Sequence, residues 1–395
     1  MKYTSTHLLK PHVGCLLLML FSANARAADL MVAVGGSGNV HPTISSAITA
    51  AAIGDRILIA PGAYTENLNI NKALELNCNV NGQRFTVVGN LVISATGTNV
   101  LISVNSMVLQ GTVTEFNGPS TGAGSKVTFT GCTTGSVTIT IGLAATMLYR
   151  DTINGAAFLA RGSIIGSVIT GEPAGNGVQF LYSTPTGITN RVIGNVIGSA
   201  MGNSAFWPIL VPAASPFVCE NNLLVLNMTS SNAFPILVPD YPSPTATLCT
   251  IRNNTFIHPN LNGIYFIKVD ETDPNFHVDI RNNFFVGPLV NPPINVSGNP
   301  SAVVAYNIET ANAGHVVPGT GLPTAGSPAI DAGDPDVVFS DLDLSRNDLG
   351  CYGGGFSRDN FDDPLPTSAF VAFVNAPRRT QAALTIPITA DGIDR

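Results

Sequence analysis

Three stretches of this chain share one small pattern, a pair of asparagines leading into mainly apolar residues: Asn221-Asn222-Leu223-Leu224, Asn253-Asn254-Thr255-Phe256 and Asn282-Asn283-Phe284-Phe285. The second asparagines lie 32 and then 29 residues apart, and Asn195 and Asn307 extend the series by 27 and 24 residues. Ser167 is an earlier candidate rung, and the block Pro-Ile-Leu-Val-Pro at 208–212 recurs at 235–239, a shift of 27. Recurrence at this period marks stacked units, each too small to bury its own apolar face.

From about residue 85 to 310, short runs such as Val127–Thr130 and Val137–Ile141 alternate with Gly and Asn, without helical periodicity. Short strands alone would also suit a sandwich or barrel; the repeat argues for a solenoid instead. A unit of 24–32 residues holds three strands and their turns, one coil of an all-β, single-stranded parallel β-helix of about ten coils. Asparagine suits the corner of such a coil, because it tolerates the left-handed backbone of a sharp turn. Stacked at the roughly 4.8 Å strand spacing, its amides can also bond along the stack. Asn195, Asn222, Asn254, Asn283 and Asn307 are therefore read as a structural ladder.

A stack of coils has two open ends whose unpaired strand edges must be covered. Near the start, Thr43 is placed as the N-cap of an alanine-rich helix over 44–52 that caps the first coil, Gly54 ends it, and Arg56–Ala60 forms a strand. After residue 310 the chain gains Pro, Gly and Asp, as expected of an irregular C-terminal cap closing the other end. Residues 28–355 thus form the β-helix with its caps, and 356–395 a tail or small appended segment with strand candidates at 370–374 and 383–388.

Residues 1–27 read as a secretory signal: Lys2 and Lys10, an apolar core over 13–21, and Ala25-Arg26-Ala27 before the cut. The apolar run is too short to span a bilayer, and no later stretch is long enough, so the expectation is a secreted or cell-surface protein with no transmembrane segment. Removing the signal's three positive charges takes the net charge from -7 to -10, which disfavours nucleic acid and anionic membranes as partners. Five cysteines remain, Cys78, Cys132, Cys219, Cys249 and Cys351. Export permits disulfides, and Cys219 and Cys249, each just upstream of an asparagine pair, are the candidate bridge; small buried core cysteines are the competing reading.

The opening residues carry a resemblance. Val34-Gly35-Gly36-Ser37-Gly38, Thr43-Ile44, Gly54-Asp55-Arg56-Ile57 and Pro61-Gly62-Ala63-Tyr64-Thr65-Glu66 look like the start of pectin-lyase-like right-handed β-helix proteins. Ser327-Pro328-Ala329-Ile330-Asp331-Ala332-Gly333-Asp334-Pro335 and the run Asp341 to Gly350 resemble the terminal segment of bacterial β-helix repeat proteins. The resemblance implies a right-handed helix that binds, and in some members processes, extracellular polysaccharide or a cell-surface glycan. It does not extend to the catalytic set of pectin methylesterases: Tyr149-Arg150-Asp151 echoes the approach to their nucleophile, but Ala157 stands where they have an aspartate. If the chain is an enzyme, a polysaccharide lyase or glycoside hydrolase is favoured over an esterase of that kind; the alternative is a non-catalytic surface or adhesion protein.

Lyases on this fold hold calcium with carboxylates and abstract a proton with Lys or Arg. Here the candidate catalytic residues are Lys268, Asp270, Asp273 and His277, with Arg252 and Arg281, which precede equivalent rungs and could stack on one face. The competing reading is a solvated loop, which Asp273-Pro274 favours. Asp341, Asp343 and Asp348 are candidate calcium ligands, against the alternative that they accept hydrogen bonds within an irregular cap. Trp207 and Tyr265 are candidate sugar-stacking residues.

Overall fold

The computed structural model describes residues 27–115, 124–140, 145–171, 177–180, 189–198, 208–210, 216–226, 234–240, 247–258, 265–288, 292–296, 298–362, 365, 368–375 and 388–393. Within them the chain winds as a right-handed parallel β-helix. Each coil visits three faces in turn, as in Thr247–Arg252, then Thr255–Ile257, then Ile267–Val269, before Phe276–Arg281 starts the next. The faces are three sheets, here A, B and C, of 13, 11 and 10 strands, each strand paired in parallel with its equivalent one coil away. The repeated Pro-Ile-Leu-Val-Pro block falls on sheet C, where Ile209 pairs with Ile236 and Leu210 with Leu237.

Alternation along each strand sends one set of side chains inward. One row on sheet A runs Ile57, Leu76, Val104, Phe129, Leu148, Ile164, Val192, Cys219, Ile251 and Ile280, all buried in one continuous core. Stacked rings extend it: Phe256 lies 4.9 Å from Phe285.

The two asparagines of each pair, at the corner between sheets A and B, divide the work. The first takes the left-handed conformation, with φ of 56° at Asn221, 51° at Asn253 and 58° at Asn282. The second is buried and forms the ladder: each Nδ2 donates to the Oδ1 of the next rung, from Asn195 to Asn222 at 2.9 Å, on to Asn254 at 2.9 Å, Asn283 at 3.0 Å and Asn307 at 2.9 Å. Each Nδ2 also donates back to a backbone carbonyl one coil earlier, Asn222 to Val192 and Asn254 to Cys219. The stack continues through other residue types. The Ser167 amide donates to Asn195 Oδ1, the Asp151 amide to Ser167 Oγ, and the Cys132 amide to Asp151 Oδ1.

At the N-terminal end, Thr43 caps a helix over Ile44–Ala50, its hydroxyl accepting from the Ser46 amide at 3.1 Å. Glu66 strengthens the cap by accepting from the Ile44 and Ser45 amides. The irregular segment after 310 runs along the flank of the coils. Val316, Ala329 and Leu349 pack on the outward Phe284 and Val286 of sheet B. Further on, Phe356, Phe361, Leu365, Phe370 and Phe373 cover an apolar strip of sheet A formed by Met147, Tyr149, Ile165 and Ile193. Val304, in register with the inward Ile280, is 44% exposed in the last coil. Strand Phe370–Asn375 pairs antiparallel with Thr389–Ile393; residues 376–387, where the second strand was expected to begin, lie outside the described residues.

The candidate Cys219–Cys249 bridge does not form, and both residues are free buried core cysteines, the competing reading. The register sets Cys249 opposite Phe217 and Cys219 opposite Ile251, so the two thiols sit diagonally, and all five cysteines are free.

Candidate functional site

The charged residues singled out by sequence fall on two different faces. Lys268 lies on sheet C between inward Ile267 and Val269, so its side chain points outward. There it pairs with Asp270 at 2.8 Å and sits 4.8 Å from the centre of the Phe234 ring. Arg252 and Arg281 are register partners on sheet A, pointing outward because Ile251 and Ile280 point in. His277 is exposed on sheet A, and Asp273 stands in the connection between the faces, its Oδ1 accepting from the Asn275 amide. The structure therefore unites Arg252 with Arg281 and separates both from Lys268.

The arginines belong to a ladder of charge. Glu220, Arg252 and Arg281 occupy one row on consecutive strands. Asp279 bridges the two guanidinium groups, pairing with Arg252 and accepting from Arg281 Nε at 2.7 Å. Asp334, from the terminal segment, closes on Arg281 at 2.5 Å. Phe339, from the same segment, lies with its ring centre 5.0 Å from the Arg252 guanidinium and 5.6 Å from that of Arg281. Both arginines thus serve to fasten the terminal segment. Burial pushes the Glu220 carboxyl up, Arg252 partly opposes this, and Asp279 adds to it. Glu220 was missed in the sequence although it also immediately precedes an asparagine pair, the position that marked both arginines.

The corner asparagines fasten the same segment. Asn221 Nδ2 donates to the carbonyls of Cys351 and Gly353, Asn253 Nδ2 to Asn347 Oδ1 at 2.9 Å, and Asn282 Oδ1 accepts from the Asp334 amide at 2.8 Å. Between the segment and the coils lies a cavity of about 240 Å³, with Glu220 and Arg252 on one wall and Phe339 and Phe356 on the other.

The aspartates considered for calcium act as internal acceptors. Asp341 accepts from the Asp348 and Gly354 amides, Asp348 from the Asp331 amide, and Asp343 from the Ser345 amide and hydroxyl. Burial pushes the Asp341 and Asp348 carboxyls up. Among the described residues no three metal-ligating side chains converge. Trp207 lies outside the described residues, and Tyr265 is half-buried beside Phe266, whose ring packs in the core 5.5 Å from Phe256.

A groove of about 400 Å³ lies on the outer face of sheet A near the N-terminal coils. Glu75, Ser103 and Thr128 are register neighbours along its floor, with Leu101 beside Lys126, and Gly392 of the terminal hairpin at its edge. No helix among the described residues is long and apolar enough to cross a membrane.

Neither a protein-family model nor a curated protein sequence matches the chain. Among solved structures the chain is similar to that of pectate lyase Pel9A, with 13% identity and a TM-score of 0.50 over 83% of this chain and 96% of that one. At that identity the likeness shows the fold, a right-handed parallel β-helix.

Proposed function

We propose that this is an exported protein that binds extracellular polysaccharide along the flank of its β-helix without cleaving it. The carrying observation is the groove on sheet A. It crosses successive parallel strands, so it offers Glu75, Ser103 and Thr128 at the repeat of the coil, with Lys126 and Leu101 alongside. The roughly 4.8 Å between strands is close to the length of one sugar ring, so a chain laid along the helix axis meets an equivalent polar position at each unit. Ser and Thr hydroxyls serve both as donors and as acceptors to sugar hydroxyls. Export is supported by the signal-like first 27 residues. The non-catalytic reading is supported by the separation of Lys268 from both arginines, and by the engagement of those arginines in holding the terminal segment.

The test is retention of the mature protein in gels or on beads carrying neutral and uronate polymers, with and without calcium, alongside ultraviolet detection of unsaturated products. Retention without product is expected, and Lys126→Ala weakens it about tenfold, the loss of one charge-assisted hydrogen bond. Unsaturated product would overturn the non-catalytic reading, and no retention on any polymer would overturn binding itself.

A further inference from the structure

The cavity beneath the terminal segment differs from the groove in both size and chemistry. At about 240 Å³ it is smaller than the roughly 300–1,000 Å³ sites that take drug-sized ligands. Its volume suits one small ring.

Two polar groups on its wall have unused hydrogen-bonding capacity. The Glu220 carboxylate has Arg252 as its nearest cation at 3.9 Å, beyond hydrogen-bond range. Arg252 commits Nη2 to Asp279, while its Nη1, 3.9 Å from Glu220, makes no hydrogen bond among the described residues. A carboxylate and a guanidinium N–H left side by side on a part-buried wall without direct partners are completed by water or by a ligand. Opposite stands an apolar rim: Phe339 and Phe356 half-buried, Leu342 57% exposed and Val374 48% exposed. An acceptor beside a donor on the floor, with rings and aliphatic groups at the mouth, is the pattern that suits a sugar, which has hydroxyls on its edge and C–H groups on its faces.

Charge narrows the class. Around the floor three carboxylates, Glu220, Asp279 and Asp334, face two guanidinium groups, Arg252 and Arg281. An acidic sugar would add a fourth negative charge next to Glu220. We propose that this cavity binds a single neutral pyranose unit, with ring hydroxyls on the Glu220 carboxylate and Arg252 Nη1 and a ring face against Phe339, Leu342 and Phe356. The site is independent of the groove and exists only while the terminal segment is docked, because that segment supplies one of its walls. Occupancy therefore also holds the segment in place.

The experiment titrates the full mature chain with glucose, galactose, mannose and galacturonate by saturation-transfer NMR and calorimetry, and follows hydrogen exchange over residues 339–374. Dissociation constants of about millimolar are expected for at least one neutral hexose, the range for a ligand of this size. Galacturonate is expected to bind at least tenfold more weakly, and hydrogen exchange to slow in the terminal segment on binding. Glu220→Gln keeps the shape of the side chain and weakens binding about tenfold; Leu342→Ala, at an exposed position that leaves the fold intact, weakens it a few-fold. The proposal is overturned if no neutral hexose binds well above millimolar concentration, if galacturonate binds better, or if both variants bind like the parent. Because these ligands are monosaccharides, the outcome is separate from retention on polymers, which tests the groove.

Discussion

Asp151 occupies a ladder position that an asparagine would fill better, and replacing it should stabilise the protein. Each ladder asparagine accepts from the amide of the preceding rung and donates to a carbonyl three residues before that rung: Asn195 to Ile164, Asn222 to Val192, Asn254 to Cys219 and Asn283 to Ile251. Cys132 follows the same geometry, its thiol reaching the Val104 carbonyl at 3.3 Å. Asp151 accepts from the Cys132 amide through Oδ1, but its buried Oδ2 makes no hydrogen bond among the described residues. By the pattern, the carbonyl awaiting a donor there is that of Phe129. Burial pushes the Asp151 carboxyl up from 3.8 to about 8, opposed by the hydrogen bonds from the Cys132 and Tyr149 amides. The folded pKa lies above the unfolded one, so the folded chain retains a proton that the unfolded chain releases. Stability from this group is full below about pH 4, declines as pH rises to about 8, and is level above that. At 1.4 kcal/mol per pH unit, the loss at pH 7 has a ceiling of about 4 kcal/mol. Asp151→Asn keeps the shape, supplies the missing donor and has no proton to lose. Urea unfolding between pH 4.5 and 8 should show the variant about 2–4 kcal/mol more stable at pH 7, the gain shrinking towards acid. A variant less stable than the parent at pH 7, or one keeping the parent's full decline with pH, would refute the reasoning.

Asn254→Ala removes the middle rung and strands its partners on both sides, the Asn222 amide and the Cys219 carbonyl among them; a loss of about 3–5 kcal/mol is expected in the same unfolding assay. Gly194→Ala places a Cβ 2.1 Å from the Phe361 ring at a backbone φ of +67°, so limited proteolysis should release the terminal segment while the far-ultraviolet β signal of the coils persists. Lys268→Ala should leave polymer retention within a factor of two of the parent, since its Asp270 pair is half-exposed and on a different sheet from the groove; a tenfold loss would move the binding face to sheet C.

The ladder was legible because one residue type repeats at a nearly constant interval. Asn195 to Asn307 are placed in register by their spacing alone, and the fold class followed from that register. Ser167 was placed as an earlier rung and holds that position, while the rungs beyond it were hidden because Asp151 and Cys132 meet the same hydrogen-bonding demand with different chemistry. The candidate site misled for a geometric reason: the coil from Arg252 to Arg281 turns through three faces in 29 residues, so Lys268 is near Arg281 in sequence yet points from another side of the helix. The residues that complete the charge ladder, Asp334 and Phe339, lie more than fifty positions beyond Arg281, where no periodicity links them to it.

The corner row shows how the terminal segment selects among residues that would serve the coil equally well. The left-handed conformation recurs at Ser106, Gly131, Arg150, Gly166, Gly194, Asn221, Asn253, Asn282 and Tyr306, and for the turn alone glycine or asparagine is the least strained choice. Where the segment brings side chains onto the corner, glycine is present: a Cβ at Gly131 would lie 2.4 Å from Leu365, and one at Gly166 2.7 Å from Phe361. Where it brings backbone, asparagine is present, and its amide bonds Cys351, Gly353, Asp348 or Asp334. Arg150 fits the same rule, donating to the Phe361 carbonyl at 2.6 Å. The left-handed row thus has two functions, turning the chain at every coil and presenting a surface complementary to the segment that runs over it. The asparagine pairs are pairs for that reason: the second residue bonds along the stack, and the first bonds outward to the segment that walls the cavity.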